Sequence, residues 1–149
     1  MKFKTALAAL ALTGLASAIG FSTVVAADSP IEIREGLMKK TGAAMGALAG
    51  IAKGDKPYDA DVVKASLTTM SEVGKDFPNH FPEGSEAGSE ASPAIWKNFD
   101  DFKAKSAKLA SDADALLAQL PADQAGVKAA VGTMGANCGS CHEVYRLKK

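Results

Sequence analysis

Cys138-Gly139-Ser140-Cys141-His142 brings two thiols and an imidazole together, and its two cysteines are the only ones in the chain. A single Cys-x-x-Cys-His is the pattern of covalent c-type haem attachment. Each thiol can form a thioether with one vinyl group of the porphyrin. The adjacent imidazole then reaches the iron as an axial ligand. On a helix the three residues stand at i, i+3 and i+4, so they project from one face. Competing chemistries are short of parts. A zinc site takes about four Cys/His ligands, and outside the motif only His80 remains. A thioredoxin-like pair belongs beside a βαβ pattern, and none is visible. A disulfide between cysteines three apart on a helix would be strained and would close almost no loop.

The N-terminus bears on the same chemistry. Lys2 and Lys4 precede an apolar stretch running roughly from Ala6 to Val25, and Val25-Ala26-Ala27 then gives way to Asp28-Ser29-Pro30. A basic start, an apolar middle and small residues at the exit predict a signal peptide over residues 1–27, cleaved after Ala27 or its neighbour Ala26. The alternative is an uncleaved anchor, since about 20 apolar residues can span a bilayer. Gly14, Ser17, Gly20, Ser22 and Thr23 dilute the stretch, and the small-residue exit favours removal. Export suits the motif, because bacteria join haem to such sites outside the cytoplasm. The expected location is therefore periplasmic, with no stable membrane span in the mature protein.

Removing 27 of 149 residues leaves 122, enough for one domain. The lost segment carries two lysines and no acid. The 17 basic residues become 15 against 17 acids, a net charge of −2. No basic excess points to nucleic acid.

Four helices must position the motif. Ser29-Pro30-Ile31-Glu32 reads as a helix start, with Ser as N-cap, Pro at the first position and Glu completing a capping box. Ile31, Met38, Met45 and Leu48 then recur on a face shared with Arg34, Thr41 and Ala52, up to about Gly54. Lys39 and Lys40 flank that stripe. Asp59 caps a second helix with core face Val62, Val63, Leu67, Met70 and Val73, ending near Phe77-Pro78. Residues 78–92 are rich in Pro, Gly, Ser and Glu and read as a loop, with His80 exposed in it. Ser92-Pro93 repeats the start signature for a third helix carrying Ile95, Trp96, Phe99, Phe102, Leu109, Leu116, Leu117 and Leu120. Pro121-Ala122-Asp123 breaks the chain. A fourth helix carries Val127, Val131, Met134, Cys138, Cys141 and Tyr145. Met45 and Met70 are read as core, and Met134 as packing near the ring edge. Four one-faced helices with short links predict an all-α, antiparallel four-helix bundle with covalently bound haem.

A haem motif on the last of four helices resembles the class II cytochromes c, the cytochrome c' family; class I proteins carry it near the N-terminus. Ala52-Lys53-Gly54, Lys56-Pro57-Tyr58-Asp59, Ser92-Pro93-x-Ile95-Trp96 and Cys138-x-x-Cys141-His142-Glu143-x-Tyr145-Arg146 carry the likeness, which covers residues 28–149. It implies one covalently attached haem c per chain and electron transfer by Fe(III)/Fe(II) cycling rather than enzyme catalysis. The implied partners are redox proteins of the periplasm. A homodimer, known in the high-spin branch, is left open. Leu37-Met38-Lys39, the segment around Pro78 and Phe81-Pro82 look most like the low-spin cytochrome c-556 branch. In that branch a methionine of the first helix is the sixth ligand, and the position falls on Met38. His142 and Met38 are then the axial pair. The alternative is a high-spin, cytochrome c'-like protein, in which Met38 only shields an open face that binds nitric oxide or carbon monoxide. Position adds further pocket candidates: Arg34, on the Met38 face, toward a propionate or in a surface ion pair; Trp96, Phe99 and Phe102, lining the haem or packed as core; and Arg146, one turn after His142, screening the proximal side or forming an ordinary basic helix end. A methionine ligand would matter, because His/Met ligation raises the reduction potential of haem.

Overall fold

A computed structural model describes residues 29–148, so the expected signal peptide lies outside the described residues. The chain runs through α1 (Pro30–Lys53), α2 (Ala60–Asp76), a 3-10 turn (Phe77–His80), a single-turn helix α3 (Ala94–Lys97), α4 (Phe99–Ala118) and α5 (Gln124–Tyr145). The four long helices form the antiparallel bundle. Among the described residues there is no strand, only an isolated bridge between Ala91 and Arg146.

Local chemistry explains the helix ends. Ser29 N–H donates to Glu32 Oε2 at 2.8 Å, and Glu32 N–H to Ser29 Oγ at 3.3 Å, which completes the capping box. Gly54 closes α1 at φ +82°, a conformation that suits glycine. Asp59 Oδ1 accepts from the N–H groups of Asp61 and Val62, and Asp123 Oδ1 from that of Gly126. Each cap satisfies donors that a helix start leaves unpaired.

Two expectations about the elements need correction. The third helix is broken at Asn98, whose backbone (φ −129°, ψ 47°) leaves the helical region. Its N–H closes α3 on Ala94 O and its carbonyl accepts from Phe102 N–H to open α4. Asn suits such a junction. Val62 is 37% exposed, while Val63, Leu67, Met70 and Val73 are buried. The buried stripe starts one residue later, and about 100° of helix rotation carries Val62 out of it.

The core has two parts. Leu48, Ile51, Val63, Leu67, Met70, Val127 and Met134 build an aliphatic cluster. Met134 is fully buried in this cluster and does not line the cleft described below. Phe81, Ile95, Phe102 and Tyr145 build an aromatic cluster, with Phe77, Trp96, Phe99 and Cys141 packed against it. Burying each large apolar side chain contributes roughly 1.5–3 kcal/mol. The helix register is fixed where backbones approach. Ser106 Oγ donates to Gly74 O at 2.8 Å, so α2 and α4 touch at a residue without a side chain.

Candidate haem site

Where the bundle opens between α1 and α5, a cleft of about 620 Å³ runs beneath the 3-10 turn and residues 89–91. Met38, Thr41 and Met45 line it from α1; Phe77, Phe81 and Phe102 supply aromatic wall; Cys138, Cys141 and His142 line it from α5. The α5 residues share one helix face, as their spacing requires.

The two helices are antiparallel. Gln124 Nε2, at the start of α5, donates to Ala52 O near the end of α1 at 3.4 Å. Further along, Met45 Cε lies 3.3 Å from the place where a Cβ on Gly135 would stand. Seven residues back along α1 is Met38. Seven residues forward along α5 is His142. Each step is about two whole turns, so the face is conserved and both residues move by the same length. Met38 and His142 are therefore level with each other across the cleft.

Electrostatics suit this donor set to a neutral, covalently held group. Burial lowers the pKa of His142, Arg146 adds to that effect, and Glu90 opposes it. A neutral imidazole keeps a lone pair for a metal. Burial raises the pKa of both Cys138 and Cys141, which are unpaired and half-buried, so they stand as protonated thiols. Among the described residues no group of three or more His, Cys, Asp or Glu side chains could hold a bare metal ion.

Arg34 is buried, 4% exposed, at the edge of the cleft. Its Nη1 donates to Ser85 Oγ at 3.1 Å and its Nη2 to Ser85 O at 2.8 Å. The guanidinium lies 4.7 Å from the Phe81 ring centroid. Nε–H is buried with no hydrogen-bond partner, a donor that a carboxylate in the cleft would satisfy. Arg34 was not legible as a loop anchor, because Ser85 is 51 residues away.

Other expected pocket residues fall differently. Arg146 lines the cleft, but exposed, just past α5. Trp96 does not line the cleft. Its ring sits behind Phe81, with centroids 5.8 Å apart, and its Nε1 donates to Pro82 O. Phe99 stacks outside Phe102, 6.0 Å away, and Phe102 alone of that trio reaches the wall. His80 is half-buried and bonds Asp76 at 2.9 Å, so it is not a free loop residue. Phe81, Lys105 and Tyr145 also line the cleft, a role that no motif or spacing assigned to them. An aromatic side chain inside a Pro- and Gly-rich loop was the available signal for Phe81.

Two nearby thiols, a neutral imidazole, a thioether in the same cleft, apolar walls and a buried guanidinium with one unpaired N–H all fit haem c. The cytochrome c' family profile matches residues 29–146. The chain belongs to the cytochrome c' family. Its cofactor is accordingly haem c, covalently attached. The cytochrome c-556 of Agrobacterium fabrum (strain C58) is 58% identical over 149 residues, covering 100% of this chain and 99% of its own. Among solved structures, cytochrome c' of Rhodopseudomonas palustris superposes with a TM-score of 0.77 at 34% identity, over 83% of this chain and 99% of that one. The oxidized cytochrome c556 of R. palustris gives 0.73 at 35%, over 80% and 97%. Proteins of this kind are electron carriers and not classical enzymes. Among the described residues, no helix is long and apolar enough to cross a membrane.

Proposed function

We propose that the chain is a monohaem electron carrier of the c-556 type, held by Cys138 and Cys141 and ligated by His142 and Met38. The observation that supports this reading is that Met38 from α1 and His142 from α5 line one cleft, two turns of helix from where Met45 meets Gly135. Cys138 and Cys141 would hold the haem through thioethers to its two vinyl groups. Neutral His142 offers a ring nitrogen on the proximal side, and Met38 offers a soft thioether on the distal side. When bound, haem c supplies a one-electron Fe(III)/Fe(II) couple. A Met38 thioether would favour the reduced state, and with His142 it would leave little ligand rearrangement to slow electron exchange. Arg34 Nε–H, buried and without a partner, would be available to a propionate. The high similarity to a cytochrome c-556 supports the low-spin assignment. The apolar segment before Asp28 supports export to the periplasm, where redox proteins are the partners.

Absorption spectra of the holoprotein, oxidised and dithionite-reduced, test the ligation. Sharp split α and β bands with no response to carbon monoxide are expected. A broad high-spin spectrum with prompt carbon monoxide binding would overturn Met38 ligation. It would establish instead the high-spin, gas-binding reading.

A further inference from the structure

Lys105 is a cation that the proposed ligand set leaves unused. It stands on α4 and lines the same cleft as Cys138, Cys141 and His142. Its side chain is only 28% exposed. The acid nearest to it in the helix, Asp101, is one turn earlier, and the two form only a long ion pair, with Lys105 Nζ 3.9 Å from Asp101 Oδ2. That same oxygen is taken by Tyr145, whose hydroxyl donates to it at 2.6 Å.

Tyr145 is well placed to hold the carboxylate. It is buried, its ring meets Phe102 edge-on at 5.3 Å, and its carbonyl accepts Ser92 N–H at 3.0 Å. The strongest bond of Asp101 therefore runs to α5 and not to the lysine on its own helix. Lys105 lines one cleft with Cys141 and His142, and Asp101 is tied to that cleft through Tyr145, which also lines it. The carboxylate is the more exposed of the two, with 57% of its side chain accessible, so water screens it more.

We propose that Lys105 raises the reduction potential of the haem site, with Tyr145 as the positioning residue that keeps Asp101 from neutralising it. The proposal rests on haem attachment at Cys141. Gaining an electron lowers the charge of the site by one, and a nearby cation stabilises that state. The ammonium is partly withdrawn from solvent, so its field is weakened less than that of a surface lysine.

Spectroelectrochemical titration of the holoprotein tests this. K105Q lowers the midpoint potential, K105R keeps it, and D101N raises it. Y145F lets Lys105 close on Asp101 and lowers the potential, by less than K105Q does. In a K105Q background, Y145F adds nothing. The difference between wild type and K105Q shrinks as salt is added. An unchanged midpoint in K105Q with an unchanged visible spectrum would overturn the proposal, as would K105R matching K105Q. Haem staining on a denaturing gel separates the two levels: a wild-type chain without covalent haem overturns the attachment reading and this proposal with it.

Discussion

Met45 Cε on α1 stands 3.3 Å from the point a Cβ on Gly135 of α5 would occupy, so the two helices touch here through one methyl group. Seven residues away on each helix, at Met38 and His142, both walls belong to the cleft. Gly135 thus packs against a residue that itself lines the haem cleft. Gly135→Ala should be tolerated. The Met45 arm is flexible, and the gain in helix propensity of about 1 kcal/mol offsets its displacement. Gly135→Leu should spread α1 from α5 at a cost of roughly 1–3 kcal/mol. It should also let carbon monoxide bind the reduced protein, because Met38 is drawn back. Thermal melts and carbon monoxide difference spectra of both variants check this. A leucine variant that loses stability yet excludes the gas would show that helix spacing at Gly135 does not govern Met38.

Met38→Ala should convert the spectrum to high spin, admit carbon monoxide and lower the potential, since the thioether that favours reduced iron is gone. Met45→Leu is the contrast. It keeps the volume of a half-buried cleft residue, so it should cost less than about 1.5 kcal/mol and leave the spectrum low-spin. If Met45→Leu and not Met38→Ala opened the site, the register argument would fail.

The bundle was legible because its signals are local. Ser29 and Glu32, Asp59 and Gly54 each act within a few residues of the helix end they define. The haem motif was legible for the same reason, with all of its donors inside five residues. What the sequence did not show depends on contacts between distant segments. Trp96 has the spacing of a wall residue, but the break at Asn98 resets the phase between α3 and α4 and leaves its ring behind Phe81. Arg34 shares the Met38 face as expected, yet its partner Ser85 lies in a loop with no periodicity to read. The Tyr145–Asp101 bond joins α5 to α4 across 44 residues, and neither residue alone signals it.

Arg34 ties residues 81–93 to α1 through Ser85 and the Phe81 ring. Arg34→Ala should free that segment and cost about 2 kcal/mol, the scale of hydrogen bonds to a charged group. A glutamate-specific protease should then cut at Glu83 or Glu86 several-fold faster than in wild type. Equal cleavage rates with equal stability would mean that other contacts hold the loop.

Gly74 tests stability apart from the site. A Cβ there would stand 2.8 Å from Ala110 N and 2.9 Å from Ser106 O, both backbone atoms that cannot move aside. Gly74→Ala should push α2 from α4, costing roughly 1–3 kcal/mol. The melting temperature should fall while the visible spectrum of the folded protein stays unchanged. A spectral shift would mean that α2 and α4 help to set the haem geometry.

Tyr145 should give the fold an alkaline limit. Burial first, and then its hydrogen bond to Asp101, push its phenol up to about 12, against about 10 in an unfolded chain. Below about pH 10 both states hold the proton, and this contribution to stability is fully present. As pH rises from there toward the folded value, the unfolded chain loses its proton while the folded one keeps it. Stability therefore falls across that window. Tyr145→Phe removes the group, so the variant should start less stable and decline less steeply. Urea unfolding followed by circular dichroism from pH 9 to pH 12 should show the gap between wild type and variant closing. Made in a K105Q background, the comparison is free of any change at Lys105, and the other lysines titrate alike in both proteins. A gap that stays constant across this range would show that the hydroxyl is not held in its protonated form by the fold.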